Sequence, residues 1–227
     1  MKRGVAQQVD QLKAKLGGYT AMLTYRYANL CIKAHPAALL SAQVQVEEEN
    51  KKLEEVAQVA VHEVYHFVVN PIYEEDLFAI GKAIMLEHPE FKQEIKTWDG
   101  YDEADPAGKY LYYTMPEVTK ERHDILIQAA DALYDECTGK MEVAQEVCAK
   151  ELAVLQVDSS PTEIAQVAEY VKKIVDTYND WRDKARDNKK QEIEDAYAAY
   201  QAKQQEKEAE EEEKRQAAGN PLQMAMP

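Results

Sequence analysis

The fold of this chain is decided by the stretch Met115-Pro116-Glu117-Val118-Thr119-Lys120-Glu121-Arg122, which introduces a long helical pattern. After Thr119 the apolar residues recur in steps of three and four, the spacing of a helix packed in a bundle. These residues are Leu126, Ala130, Leu133, Cys137, Met141, Ala144, Cys148, Leu152 and Leu155. The pattern ends near Asp158-Ser159-Ser160-Pro161, which also supplies the cap and first turn of the next helix.

Two other segments show the same spacing. The first runs from Val5 to Lys33-Ala34-His35-Pro36, where the proline ends it. Its stripe consists of Val9, Leu12, Leu16, Tyr19, Leu23, Tyr27 and Leu30. The last segment follows Pro161, and its stripe consists of Ile164, Val167, Val171, Ile174, Tyr178, Trp181 and Ala185. Because three stripes of this length must cover one another, we predict a three-helix bundle.

The residues between the first and second helices have a different pattern. Runs rich in β-forming residues predict strands at 43–46, 58–61, 65–69 and 109–113. Asn70-Pro71 marks the start of a short helix, whose stripe is Leu77, Ile80, Ile84 and Met85. The predicted class is therefore α+β. Residues 1–36 and 117–202 form the bundle, and residues 37–116 form an inserted small β/α domain.

The remaining residues, 203–227, form an acidic tail without an apolar stripe, which predicts disorder, with a solvated helical extension over residues 204–216 as the alternative. The whole chain has a formal net charge of −15 and a pI near 4.8. Binding to nucleic acid depends largely on neutralising phosphates with basic residues. The acidic balance therefore argues against a general nucleic-acid binder and against DNA as a partner.

The compartment can also be predicted from the sequence. No apolar run approaches the roughly 20 residues of a membrane-spanning helix, and Met1-Lys2-Arg3-Gly4-Val5 leads into polar residues, unlike a secretory signal. Cys31, Cys137 and Cys148 fall at apolar positions of helices, which predicts buried free thiols in a reducing environment. We therefore expect a cytoplasmic bacterial protein that has no membrane partner.

One motif indicates a different chemistry. His62-Glu63-Val64-Tyr65-His66 matches the HExxH pattern of zinc metallohydrolases, in which two histidines on one helical face bind zinc and the glutamate is the general base. Glu74, Glu75 or His88 would supply a third ligand. The flanking valines and aromatics favour a strand instead, and a strand would point Glu63 away from both histidines. A zinc hydrolase with His62 and His66 as ligands remains an alternative, and the favoured interpretation has no cofactor.

Three junction segments carry a resemblance to a known family. They are Lys33-Ala34-His35-Pro36-Ala37-Ala38-Leu39-Leu40, then Leu77 with Lys82-Ala83-Ile84, and then Gly108-Lys109-Tyr110-Leu111-Tyr112 followed by Met115 to Arg122. In order and spacing, over roughly residues 5–200, they resemble the ribosome recycling factor family. The chain is identified as a divergent, acidic member of that family.

The resemblance implies a fold and a function. The family has a three-helix bundle hinged to a β/α domain, and its members are not enzymes. They bind the large ribosomal subunit after termination and split the ribosome together with elongation factor G. Their binding rests on arginines of the second bundle helix, which contact ribosomal RNA.

This chain differs from the family at those arginine positions, where it has Thr138, Glu142, Gln145 and Glu146. Carboxylates repel phosphates, so this face is unsuited to RNA. The basic residues that remain as candidate contacts are Lys33, Arg122, Lys140 and Lys150. Glu142 and Glu146 are candidates for contacting a basic protein instead. We expect either binding to the large ribosomal subunit, or a protein-interaction module with this fold that no longer binds ribosomal RNA.

Overall fold

The computed structural model describes residues 2–40 and 42–218, which fold as a helical bundle and a smaller sheet-containing unit. The helices are α1 (Arg3–Asn29), α2 (Ala37–Leu40), α3 (Leu53–Val56), α4 (Leu77–Glu87), α5 (Lys120–Leu155) and α6 (Pro161–Ala218). The strands are β1 (Gln43–Val46), β2 (Glu49–Lys52), β3 (Ala57–Glu63), β4 (His66–Pro71), β5 (Lys92–Thr97) and β6 (Lys109–Thr114). The predicted α+β class is confirmed.

The bundle is formed by α1, α5 and α6. Helices α1 and α5 are antiparallel, because the Tyr27 hydroxyl near the end of α1 donates to the Ala130 carbonyl in the first half of α5, while the Cys148 Sγ near the end of α5 lies 4.0 Å from the Gln8 carbonyl near the start of α1. Most residues of the apolar stripes predicted from the spacing supply one continuous core, but Leu155, Ile164 and Trp181 are exposed instead. Its buried members include Val9, Leu12, Leu16, Leu23, Ala130, Cys137, Met141, Ala144, Cys148, Val167, Ile174 and Tyr178.

Both long helices of the C-terminal half begin with side-chain caps. At α5, the Thr119 hydroxyl accepts a hydrogen bond from the Arg122 backbone N–H at 3.3 Å. At α6, the Ser160 hydroxyl accepts from the Glu163 N–H at 3.3 Å, while the Glu163 carboxylate accepts from the Ser160 N–H at 2.9 Å. This reciprocal arrangement satisfies donors that have no partner within the helix.

Two glycines lie in the middle of α1 without interrupting it. The helix continues through Gly17 and Gly18 although each glycine weakens a helix by about 1 kcal/mol relative to alanine. A Cβ on Gly17 would lie 3.4 Å from the Tyr178 hydroxyl of α6. That distance is ordinary van der Waals contact, so the space beside Tyr178 would also accept the Cβ of an alanine at Gly17.

The inserted unit is built on a four-stranded antiparallel sheet with the order β3-β4-β6-β5, beside a β1-β2 hairpin. One face of the large sheet packs with α4 in a second core. Its buried members are Cys31, Ala38, Leu39, Ala42, Val44, Leu53, Val56, Ala57, Phe67, Val69, Leu77, Ile80, Ala83, Ile84, Phe91, Leu111, Tyr113 and Met115. The two separate cores support the proposed division of the chain near residues 36 and 117.

Several elements differ from the sequence prediction. Helix α1 ends at Asn29, before Pro36, because the following Cys31 and Ile32 are buried in two different cores. Asn70-Pro71 ends strand β4, and the short helix starts later, at Leu77. Strand β5 was not predicted, because its sequence Lys-Gln-Glu-Ile-Lys-Thr is mostly polar. It forms by pairing with β6 at the edge of the sheet.

The acidic tail also differs from the prediction of disorder. Helix α6 continues from residue 203 to Ala218, and residues 219–227 lie outside the described part of the chain. Glu, Lys, Gln and Ala all favour helix, and i,i+4 pairs such as Glu210 with Lys214 (3.7 Å) add support without any buried surface. In the described part of the chain, no helix is both long enough and apolar enough to cross a membrane.

Removing side-chain volume from the centre of the bundle should test this core. Leu16 is fully buried among α1, α5 and α6, so we expect Leu16→Ala to lower the free energy of unfolding by about 2–5 kcal/mol, through lost burial and a cavity. Urea denaturation measures this value. Met22→Ala on the same helix is the control, because Met22 is 54% exposed. Equal losses for the two variants would contradict the assigned register of α1.

Candidate functional site: the junction and the outer face of α5

Two chain crossings join the bundle to the inserted unit, and each crossing is anchored in both cores. In the first crossing, Cys31 belongs to the core of the inserted unit and its neighbour Ile32 to the core of the bundle. In the second crossing, Met115 belongs to the core of the inserted unit and Val118 to the core of the bundle. Neither crossing is therefore a loose linker at its ends.

Arg122, on the first turn of α5, ties the two crossings together. Its Nη2 donates to the Cys31 carbonyl at 2.8 Å, and its Nη1 donates to the Pro116 carbonyl at 2.9 Å. Burial lowers the pKa of Arg122 from its ordinary value. The guanidinium thus satisfies two backbone carbonyls at the junction. The structure places this candidate RNA contact in a structural role, with its donors directed inward.

Helix α6 reaches the same junction with two lysines. The buried Lys189 donates to the Leu30 carbonyl at 3.3 Å and to the Glu192 carboxylate at 2.8 Å. Farther along, Lys203 pairs with Glu117 of the second crossing. The part of α6 that extends beyond the bundle therefore contacts the junction before it continues into solvent.

The outer face of α5 is acidic, as its sequence predicts, and it also exposes apolar side chains, which were not predicted. Glu142 and Glu146 are exposed there. Next to them Val143 is 62% exposed and Val147 is 43% exposed. The Thr138 hydroxyl donates to the Tyr134 carbonyl of its own helix at 2.9 Å. This face therefore presents carboxylates at two of the positions where the resemblance implies arginines, with exposed valine side chains next to them.

The remaining basic candidates are dispersed. Lys140 is half-exposed and pairs with Glu136 at 2.6 Å, and Glu136 also contacts Arg26 of α1. Hydrogen bonds from Lys140 and Arg26 hold the pKa of Glu136 below its ordinary value. Lys150 is exposed near the far end of α5, and Lys33 is exposed in the first crossing. The structure does not gather these lysines into one basic patch.

A groove between α5 and α6 adjoins this outer face. It has a volume of about 520 Å³ and is lined mostly by small and branched apolar side chains. Gln145, one of the residues at a family arginine position, lies on its wall together with Ala149, Ala153, Ala168 and Val171. The groove gives the acidic side of the bundle a concave apolar surface, into which an apolar side chain would fit.

Sequence reasoning missed one cluster of arginines. Arg182 and Arg186 of α6 place their guanidinium carbons 4.7 and 4.3 Å from the centre of the Tyr134 ring of α5. The Tyr134 hydroxyl and Arg182 both donate to Asp183. The i,i+4 spacing of the two arginines in the sequence indicates that they share one face of α6. Nothing in the sequence indicates that Tyr134 of α5 would be their partner. The contacts with Tyr134 hold α6 against α5. Because Asp183 and Asp187 pair with the two arginines, the cluster adds little net positive charge.

The zinc hydrolase interpretation is wrong, because His62-Glu63-Val64-Tyr65-His66 is a β-hairpin. Strand β3 ends at Glu63, strand β4 begins at His66, and these two residues are paired across the turn. The Glu63 carboxylate lies 3.3 Å from the His66 Nδ1, so the expected base faces an expected ligand. Within residues 2–40 and 42–218, no group of three or more His, Cys, Asp or Glu side chains is placed to hold a metal ion.

One comparison with known proteins shows the family of this chain, and two solved structures show a similar fold. The sequence pattern of the family described as "Ribosome recycling factor" matches residues 27–193. A solution structure of the ribosome recycling factor is similar over 86% of this chain and 100% of its own, with a TM-score of 0.70 and 17% identity. Comparison with curated protein sequences gives no match.

A second solved structure is also similar. It contains models for the T. thermophilus ribosome recycling factor and the E. coli elongation factor G bound to the E. coli post-termination complex. The match covers 83% of this chain and 98% of that chain, with a TM-score of 0.54 and 22% identity. At sequence identities of 17% and 22%, these two similarities show the fold alone.

Removing the guanidinium of Arg122 should loosen the junction. We expect Arg122→Met to lower the free energy of unfolding by about 2–3 kcal/mol, because the carbonyls of Cys31 and Pro116 lose a charged donor. Urea denaturation measures the loss, and amide hydrogen exchange should become faster at Ile32 and Val118. Lys120→Met, at an exposed position of the same turn, is the matched control. If both variants behave alike, Arg122 does not hold the two crossings.

Proposed function

Because this chain belongs to the ribosome recycling factor family, a family of non-enzymatic translation factors, we propose that it acts on ribosomes after termination by binding the large ribosomal subunit. The observation that carries this proposal is the family match, which runs from Tyr27 in α1 through the inserted unit to Ile193 in α6. It includes both crossings of the junction. We propose cytoplasmic ribosomes as the setting and elongation factor G as a further partner, on the family's behaviour alone.

The charge distribution sets the expected character of this binding. The proposed contacts are the exposed lysines Lys33, Lys140 and Lys150, while Arg122 supports the junction from inside. Each phosphate that is neutralised releases counterions, so few lysines give weak binding with a shallow dependence on salt. The carboxylates of Glu142 and Glu146 oppose RNA on the face that the family uses. We therefore propose that affinity for the large subunit is lower than is typical of an arginine-bearing face.

A second candidate function is supported by the outer face of α5. There Glu142 and Glu146 are next to the exposed Val143 and Val147, and the apolar groove lies along the same helix. Carboxylates beside apolar surface are suited to a protein with basic and apolar side chains, and not to phosphates. In this alternative the chain keeps the fold of the family and binds a basic protein in place of ribosomal RNA.

Charge reversal on α5 separates the two candidates. We expect the double variant Glu142→Arg/Glu146→Arg to bind large ribosomal subunits at least tenfold more tightly than the wild type at low salt. Each new phosphate contact should steepen the slope of log affinity against log salt by about 0.7–0.9. Co-sedimentation with purified large subunits across a salt series measures both quantities.

The matched control is Glu211→Arg/Glu212→Arg, which changes the net charge equally on the extension of α6, outside the family match. The control should bind like the wild type. If neither the wild type nor the α5 variant sediments with large subunits at low salt, the recycling proposal fails and the protein-binding candidate remains. Equal gains for both double variants would mean that only net charge matters and that α5 is not the binding face.

A further inference from the structure

The large sheet has a second face, opposite the one that packs with α4, and this face carries aromatic rings. The alternation of side chains along β4 and β6 places Phe67, Val69, Leu111 and Tyr113 in the core. The residues between them point to the other side: His66, Val68 and Asn70 on β4, and Tyr110, Tyr112 and Thr114 on β6. We call this side of the sheet the open face.

The rings of the open face are in contact with one another. His66 stacks on Tyr112 with a centroid separation of 5.2 Å, and His62 of β3 meets the edge of the same tyrosine at 6.0 Å. Trp98, the residue after β5, stacks on Tyr110 at 4.2 Å and is 42% exposed. The two central strands thus present a row of aromatic surface, with an indole at one end that still faces solvent.

A cation already lies on this surface. The Lys96 Nζ of β5 is 3.4 Å from the centre of the Tyr112 ring. Ring faces attract cations through their negative quadrupole, and guanidinium groups are the most frequent partners. Lys96 reaches the ring from a neighbouring strand on a long, half-exposed side chain, so a second cation would compete with it at little structural cost.

The charges around the rings also favour a cation. Glu63 and Glu94 lie close to Tyr112, and burial together with these carboxylates raises the pKa of its hydroxyl above the ordinary value. The loop that follows Trp98 adds more carboxylates: Asp99, Asp102, Glu103 and Asp105. Lys92 and Lys96 of β5 both pair with Glu94, whereas the loop beside Trp98, residues 99–108, carries these four carboxylates and no lysine or arginine in its sequence. Phosphates would be repelled here, although an aromatic sheet face is otherwise typical of single-stranded RNA binders.

We propose that the open face binds a cationic protein segment, with arginine side chains stacked on Trp98 and Tyr112 and paired with the surrounding carboxylates. The site lies outside the outer face of α5, so it does not depend on the proposed binding to ribosomal RNA. The planar guanidinium suits it better than an ammonium, because it stacks on a ring while its edge donates to carboxylates. An arriving arginine would displace Lys96 from Tyr112, and Lys96 would keep Glu94 as a partner.

The first measurement uses the fluorescence of Trp98 itself. The chain has two tryptophans, and Trp181→Phe removes the other one while keeping an aromatic ring beside Tyr178. The probe is a synthetic peptide of alternating arginine and glycine. We expect it to change the emission of Trp98 in a saturable way. The same peptide with citrulline in place of arginine, which keeps the shape and loses the charge, should produce no saturable change.

Ring variants of the full chain then distinguish this site from general attraction to an acidic protein. Trp98→Leu and Tyr112→Leu should each weaken binding of a fluorescein-labelled arginine peptide about fivefold, the size of a cation–π contact, as measured by fluorescence anisotropy. Trp98→Phe should retain most of the affinity. Glu211→Gln/Glu212→Gln removes two charges from the extension of α6 and should change the affinity less than twofold. Circular dichroism verifies that each variant is folded.

Three results would overturn the proposal. The first is an arginine peptide that binds Trp98→Leu and wild type equally, which would mean attraction to net charge alone. The second is a single-stranded oligouridylate that binds more tightly than the peptide and changes Trp98 emission, which would make the open face an RNA site. The third is a peptide that causes no saturable change at low salt. Because Trp98 is exposed, its substitution leaves the core intact, so loss of folding would not explain a negative result.

Discussion

The contact on which the rest of the structure depends is the pair of hydrogen bonds from Arg122 to the carbonyls of Cys31 and Pro116. One guanidinium holds the chain where it leaves the bundle and where it returns. The buried neighbours Ile32 and Val118 fix the bundle side, and Cys31 and Met115 fix the side of the inserted unit. Lys189 and Lys203 of α6 add contacts at the same junction, so Arg122 is the central member of a small set of contacts between the two units.

The junction and the outer face of α5 obey different constraints. At the junction, cations from α5 and α6 face buried backbone oxygens, so charge there contributes to the fold. On the outer face of α5, the identity of the exposed residues does not affect the core register kept by Met141 and Cys148. This separation explains how the chain keeps the architecture of its family while Glu142 and Glu146 occupy positions that are basic in the family. Fold and surface chemistry can change independently.

Much of the architecture could be predicted because helical spacing is a local signal. Most residues of the stripes of α1, α5 and α6 lie in the core, with Leu155, Ile164 and Trp181 as exposed exceptions, and Cys31, Cys137 and Cys148 are buried thiols. Strand β5 could not be predicted, since its polar sequence becomes a strand only through its pairing with β6. Apart from Lys109 at its start, β6 has no basic residue interleaved with its tyrosines, yet Lys96 lies over Tyr112 because β5 and β6 are adjacent. Sites assembled by pairing between strands are not visible along the chain.

The interrupted bundle also bears on how the chain folds. Helix α1 is separated from α5 by an insertion of roughly 90 residues, and closing a flexible loop of that length costs on the order of 4 kcal/mol. If the inserted unit forms first, its antiparallel sheet and hairpins bring Cys31 and Pro116 close together before the helices dock. The folded insertion then holds the end of α1 close to the start of α5. The two helices can dock as if only a short connection joined them, because the cost of closing the long loop has already been met.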